Sequence, residues 1–373
     1  MKIAIMLRGV DKQGGTGVYA KNLVPRLLEL GYQHEWTLLY QAHDQLESFQ
    51  LPDYAHGVVL PSGNSIYWDQ VLVPRYVRKE GIDVLFNAKF TLPVIWPKRV
   101  AQVMSLHGAS WYVIPECYPW WDVLYIKLMM PRYCRAADHL ISNSMCTTSD
   151  YQKYVGVESH KISTVPLAAA DYFERVTDVQ VLTSVRQKYG LPKSFVLNVG
   201  GYDPRKNVPR LLEAFSRCRK SEDVKLVLVG KSCERFRDDL PELFKSLGDS
   251  VVLTGWVDQR DLPAIYSLAT VFFFPSVYEE FGIPNCEALA CGVPILSSNT
   301  AAPPEVVADA GLLVDPTSIE EMARALERLL TDQSLRTDLS ERAMRRSKSF
   351  SWDRTARETL QVLVEAGSAS VAA

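Results

Sequence analysis

Short runs of β-branched and apolar residues alternate with stretches of helical period along nearly the whole chain. That is the pattern of an α/β protein built on parallel sheets. In the first half Lys2–Leu7, Trp36–Tyr40, Val84–Asn87, Ala101–Ser105 and His139–Ser142 read as strands. In the second half Phe195–Val199, Lys225–Val229, Val251–Thr254, Val271–Pro275, Pro294–Ser297 and Leu312–Val314 do the same. Between them Gly17–Leu30, Val208–Arg219 and Ile319–Leu330 carry apolar residues at helical spacing. The clearest seam runs from about Val165 to Lys193, after which FVLNVGG opens a second α/β series. Each half starts with a strand and a glycine-bearing loop. The pattern therefore predicts two doubly wound, Rossmann-like domains facing each other, with ligand in the cleft at the carboxyl ends of the strands. The boundaries fall at 1–180, 181–348 and 349–373. In the last segment a helix around Trp352–Ala366 packs back across the seam, and the tail GSASVAA is expected to be disordered.

Composition adds exclusions. A length of 373 residues exceeds one ordinary core, and 47% apolar with 23% charged residues is a globular balance. A net charge of -2 gives no reason to expect nucleic acid as a partner. No apolar run approaches the ~18 residues that span a bilayer, and the opening MKIAIMLRGVDK reads as a first strand rather than a signal peptide. Seven cysteines without a CxxC pair point to reduced thiols and a cytoplasmic protein. The six histidines form no HExxH, and no cofactor or protein-bound metal is expected.

The chemistry concentrates in VYEEFGIPNCEALACGVP, Val277 to Pro294. It follows the apolar run VFFFPS, a buried parallel strand, and Pro284 and Gly292 suit the start and the far side of a helix. Glu287 then belongs to the first turn, and Glu279 to the loop at the mouth of the strand. Free amides near Gly282 and Ile283 suit a phosphate, because a helix N-terminus favours anions. Glu287 can accept two hydrogen bonds from a ribose or sugar diol. The plainer reading makes Glu287 a complement to the helix dipole, with Glu279 and Glu280 as solvated charges. After another strand, GGYDPRKN places Arg205 and Lys206 side by side, a pair that can clamp a diphosphate and that alone would also fit a surface turn.

In the first half, Gly14 and Gly15 of DKQGGTGVYA let backbone approach a ligand. Gly15 to Ala20 even satisfies G-x-G-x-x-A, although six residues separate it from the end of the strand. VGKS at Val229–Ser232 resembles the end of a P-loop but has Lys225 in place of its first glycine. His107 follows a strand and would face the cleft, unless it is a satisfied core histidine. The aromatic segment Trp111–Arg132 suits an acceptor sugar, a lipid surface or core packing.

Together these residues resemble the family-4 retaining glycosyltransferases of the GT-B fold. YEEFGIPNCEALACGVPIL is similar to that family's E-x7-E signature, with Glu279 and Glu287 as its ends. GGYDPRKNVPRLLEAF resembles its phosphate-clamp segment, and VVLTGWVDQRDLPAIYSLA the segment near the nucleotide base. PPEVVADAGLLVDP, AADHLISNSMCTTSDY and the late FSW agree in order. The resemblance implies a UDP- or GDP-sugar donor, GDP-mannose or UDP-glucose foremost, and a glycan or lipid-linked acceptor. Glu287 would hold the ribose diol, Arg205 and Lys206 the diphosphate, and Glu279 the hexose. It also implies transfer with retention, front-face attack and no metal, in keeping with the lack of any D-x-D triplet. Polysaccharide or cell-envelope assembly is the implied setting, at the inner face of the membrane. Two positions depart from the family: Glu280 stands where glycine is usual, and Gly108 where aspartate is common.

Three other functions compete. A glycoside hydrolase built on Glu279 and Glu287 would need no cationic clamp beside a helix N-terminus. An NAD-dependent oxidoreductase rests on the lone glycine match. A non-catalytic nucleotide-sugar binding subunit is consistent with the departures at 108 and 280.

Overall fold

Val271-Phe-Phe-Phe274 buries every one of its side chains, as only a strand covered on both faces can. That environment recurs through two parallel sheets in a computed structural model. The model describes residues 1–8, 10, 15–96, 100–218, 224–231 and 235–372. The described chain divides into two units, Met1–Leu167 with Ser351–Ala373, and Ala168–Phe350.

The first unit holds β1 (Lys2–Met6), β2 (Glu35–Tyr40), β3 (Ala55–Val59), β4 (Val84–Asn87), β5 (Ala101–Leu106), β6 (His139–Ser142) and β7 (Ile162–Thr164). Their order is β3-β2-β1-β4-β5-β6-β7, every neighbouring pair parallel. The sequence pattern does not reveal β3 and β7. Both are edge strands, and His56 with Gly57 breaks the apolar run of the first.

In the second unit β8 (Ser194–Val199), β9 (Val224–Val229), β10 (Val251–Gly255), β11 (Val271–Phe274), β12 (Ile295–Ser298) and β13 (Gly311–Val314) follow the order β10-β9-β8-β11-β12-β13. All of these pairs are parallel too. The helix Val208–Cys218 buries Val208, Leu211, Leu212, Phe215 and Cys218, a stripe at helical spacing. Met322, Leu326 and Leu329 of the helix Ile319–Thr331 complete this core. Chain order reverses between β8 and β11, as it does between β1 and β4, and such switch points are where open α/β sheets bind ligands.

Two details differ from the sequence pattern. The expected boundary at 180 falls inside the helix Val179–Lys188, which belongs to the second unit. The segment expected to be disordered is instead helical as far as it is described, since the helix Trp352–Ala372 continues into it. Arg26 Nε reaches Asp353 Oδ1 at 2.8 Å, and Thr355 Oγ1 donates to the Pro166 carbonyl at 2.6 Å. A Cβ on Gly367 would lie 2.6 Å from Val84 Cγ2, so the helix packs tightly on β4 up to that point.

Candidate active site

The second sheet's switch point is built by two loops. After β8 the chain runs through Gly200 and Gly201, the latter at φ +69° with Lys231 O only 2.8 Å from where a Cβ would sit. Asp203 Oδ1 then accepts the Arg205 N–H at 2.9 Å and starts a short 3-10 turn, Pro204–Lys206. Asn207 follows in the left-handed region at φ +58°, donating to the carbonyls of Pro275 at 3.0 Å and Pro316 at 2.7 Å. The Arg205 carbonyl accepts the Val277 N–H at 2.9 Å. These bonds staple the loop after β8 to the loop after β11.

That staple aims the cations. The Lys206 stem passes over Gly200, where a Cβ would lie 3.2 Å from Lys206 Cε. Its Nζ lies 2.6 Å from Glu279 Oε1 and 4.5 Å from the centre of the Phe274 ring, and both charged side chains are at least nine-tenths buried. Arg205 donates to Asp203 Oδ2 through Nε at 3.2 Å and Nη2 at 2.9 Å, and its Nη1 lies 3.4 Å from Glu280 Oε2. Burial raises the Glu280 pKa, while the Arg205 charge pulls it back. The sequence brought Arg205, Lys206 and Glu279 to notice as donor contacts. In the structure each already has an oppositely charged partner, and Glu280 is part of that set.

Gly282 caps the helix Ile283–Ala290 at φ +84°, a conformation that favours glycine. The first amides of a helix have no intrahelical acceptor, which suits Gly282 and Ile283 to an anion. Asn285, in this first turn, is fully buried, and among the described residues its side-chain amide has no hydrogen-bond partner. Gly292, at φ +65°, lies just past the helix end as its sequence position suggests. Glu287 corrects the sequence reading: the helix starts at Ile283, which puts this glutamate in the second turn, not the first. Tyr266 donates its hydroxyl to Glu287 Oε2 at 2.8 Å, and burial lifts the carboxyl pKa to about 7. A surface depression is lined by Tyr172, Trp256 and Arg260, and the Tyr172 pKa is raised by burial first and by the Glu287 charge second.

Tyr266, Asn207 and Asp203 are residues of this candidate site that the sequence did not single out, and Glu280, noted there only as a solvated charge and a departure from the family, joins them through Arg205. A turn-forming D-P and an Asn after two cations were visible signals for Asp203 and Asn207. Nothing local marks Tyr266.

The remaining candidates belong to the first unit. His107 follows β5, its Nε2 2.6 Å from the Ala88 carbonyl and its ring edge-on to Tyr19 at 4.8 Å. Burial pushes its pKa down to about 4, so the imidazole is neutral at pH 7. Gly108 has φ +109°, a conformation that favours glycine over aspartate. Gly14 lies outside the described residues, and Gly15 is the exposed first residue of the helix Gly15–Leu30. Among the described residues no three His, Cys, Asp or Glu side chains gather as a metal-binding set.

Two doubly wound parallel sheets, with cations, carboxylates and a helix N-terminus at the second sheet's switch point, are the features that the resemblance to the GT-B glycosyltransferases led one to expect. Comparison with known proteins agrees. Residues 183–346 match the model "Glycosyl transferases group 1" and residues 13–169 match "Glycosyltransferase Family 4". O-antigen chain mannosyltransferase B of Escherichia coli is 30% identical over 270 residues, 71% of this chain and 70% of that protein. The serotype-specific mannosyltransferase WbdA of Escherichia coli is 30% identical over 59% of this chain but only 28% of its own length. Among solved structures, sucrose-phosphate synthase from Thermosynechococcus elongatus superposes with a TM-score of 0.80 at 21% identity, covering 99% of both chains. The chain belongs to the family-4 glycosyltransferases and is a hexosyltransferase.

Proposed function

We propose that the chain moves a mannosyl group from GDP-mannose, or a glucosyl group from UDP-glucose, onto a glycan or lipid-linked glycan of polysaccharide or cell-envelope assembly. It does so in the cytoplasm, with retention at the anomeric carbon and without a metal ion. The observation that carries this reading is the meeting of Arg205, Lys206, Glu279 and Glu287 around one helix N-terminus at the switch point of the second sheet. The two mannosyltransferase relatives support mannose as the first donor to test.

In this reading the Glu287 carboxylate accepts the ribose hydroxyls, and the diphosphate lies against the Gly282 and Ile283 amides. Arg205 exchanges Glu280 for a phosphate oxygen, and Lys206 turns part of its charge from Glu279 to the other phosphate. Glu279, so released, accepts a hexose hydroxyl. The bond from the anomeric carbon to the diphosphate oxygen breaks as the acceptor oxygen bonds the same face, and the acceptor's proton passes to the departing phosphate. Negative charge grows on the diphosphate, where fixed cations and amides stabilise it without reorganising. His107, being neutral, serves the acceptor as a hydrogen-bonding group rather than a charge.

GDP or UDP added in EDTA should raise the unfolding temperature, since a ligand at ~100 times its Kd contributes about 2.7 kcal/mol. Screening nucleotide sugars for donor hydrolysis then identifies the sugar. Absence of any shift with every nucleoside diphosphate sinks the donor reading, and a shift that requires a divalent ion sinks the metal-free one.

A further inference from the structure

The helix Trp120–Ala136 is amphipathic on two sides. One side buries Val123, Ile126, Met130, Tyr133 and Cys134 in a core shared with Leu92, Met104, Leu106 and Leu140. The other presents Trp120, Trp121, Leu124, Tyr125 and Leu128, which are 41% to 71% exposed. The aromatic segment singled out in the sequence is thus core on one face and open surface on the other.

Charge distinguishes this surface from a neutral apolar patch. At about 100° per residue, the five exposed apolar positions fill an arc of roughly 140° from Trp120 to Tyr125. Arg132 and Arg135 fall inside the same arc farther along the helix, and Lys127 lies roughly 20° outside it. The helix's one acid, Asp122, lies roughly 60° beyond the opposite edge. Lys161 adds a further cation, its Nζ 3.1 Å from the Arg135 carbonyl. Glu116 and Asp138 flank the two ends, and Asp138 is engaged, accepting the Gln102 N–H at 2.7 Å. Among the described residues no helix is long and apolar enough to cross a membrane.

We propose that this face docks on an anionic bilayer, with the helix lying in the plane of the headgroups. Tryptophan and tyrosine suit the boundary between headgroups and acyl chains, and leucines between them reach the apolar side. Arginine and lysine stems lie along apolar surface while their heads meet lipid phosphates. Neither the donor nor the transfer chemistry enters this proposal. It would give the enzyme a standing position at the surface where a lipid-linked acceptor is held.

The test uses the full-length chain sedimented with vesicles of phosphatidylcholine alone, or of phosphatidylcholine containing about one part in three of phosphatidylglycerol. The wild type should sediment with the anionic vesicles and far less with the neutral ones. The variant W120S/L124S/L128S should lose partitioning on the order of 100-fold. The variant R132Q/R135Q should lose about ten-fold on anionic vesicles and nothing on neutral ones. Both substitution sets are on the exposed face, so unchanged thermal unfolding checks that the variants are folded. A wild type that stays in solution with anionic vesicles overturns the proposal, as does an apolar-face variant that binds as well as wild type. Sedimentation of the protein as a dimer that W120S/L124S/L128S splits, without vesicle binding, assigns the face to a second copy instead.

Discussion

Glu287 has its carboxyl against the Tyr266 hydroxyl, and burial holds its pKa near 7 instead of the ordinary 4.5. A carboxyl raised in this way favours the folded state while protonated. Its contribution is complete below about pH 4.5 and is lost as pH rises through 7. Acceptance of a ribose diol needs the charged form, so nucleotide affinity should rise over the window in which stability of the free protein falls. Calorimetric titration with GDP or UDP between pH 6 and 8 should show that rise, and Glu287→Gln should flatten it at a lower affinity. Glu280 makes a different prediction: it lies 3.4 Å from Arg205, so under the proposed donor reading its carboxylate would compete with phosphate for that cation. A part-buried pair of this kind is worth about 1 kcal/mol, so Glu280→Gln should lower the donor KM by about five-fold. A raised KM would mean that Glu280 orients Arg205 rather than restraining it. If Lys206 neutralises the departing diphosphate as proposed, Lys206→Met should lower kcat by about 10²–10³.

The loops after β8 and β11 behave as one element because Asn207 joins them. Asn207→Ala deletes both donors to the Pro275 and Pro316 carbonyls, and leaving such groups unpaired costs about 1–3 kcal/mol. Urea unfolding should show that loss together with a raised donor KM, since Arg205 and Lys206 sit on the turn just before it. Stability lost without a change in KM would separate the staple from the cations. The close glycines act at the same scale. A Cβ on Gly230 would collide with the Gly201 backbone, so the ends of β8 and β9 can approach only because both residues lack one. Local composition made these segments recognisable as strand followed by glycine loop. It did not reveal β3 or β7, whose short edge runs carry little periodic signal.

At the level of the molecule the chain leaves the first unit after Leu167 and returns at Ser351. Trp352, Thr355, Thr359 and Leu363 of the returning helix are buried, so the first unit depends on the last residues of the chain. Units with separate cores unfold separately when little couples them. Calorimetry of the full chain should resolve two transitions, of which GDP or UDP raises the one belonging to the second unit. A chain ending at Phe350 should lose the other transition and keep the nucleotide-stabilised one. Loss of both in the truncated chain would show that the units fold as one.

The sequence by itself determined most of the strands, the class of fold and the family, and it singled out the stretch of chain proposed to hold the donor. Strand propensity, glycine turns and helix punctuation are local properties, and VFFFPS, DPRKN and FGIPNCEALACG each declare themselves within a few residues. Tertiary structure decided the pairings. Lys206 meets Glu279 across 73 positions and Tyr266 meets Glu287 across 21, contacts set by the order β8-β11 and by helix packing rather than by any local pattern. It also started the helix one residue earlier, which carries Glu287 from the first turn into the second, and it seats the last helix on β4 at Gly367. Which face of Trp120–Ala136 is core and which is open was likewise undetermined in the sequence. Apolar residues lie all around that helix, and only the position of the sheet beneath it separates the two sides.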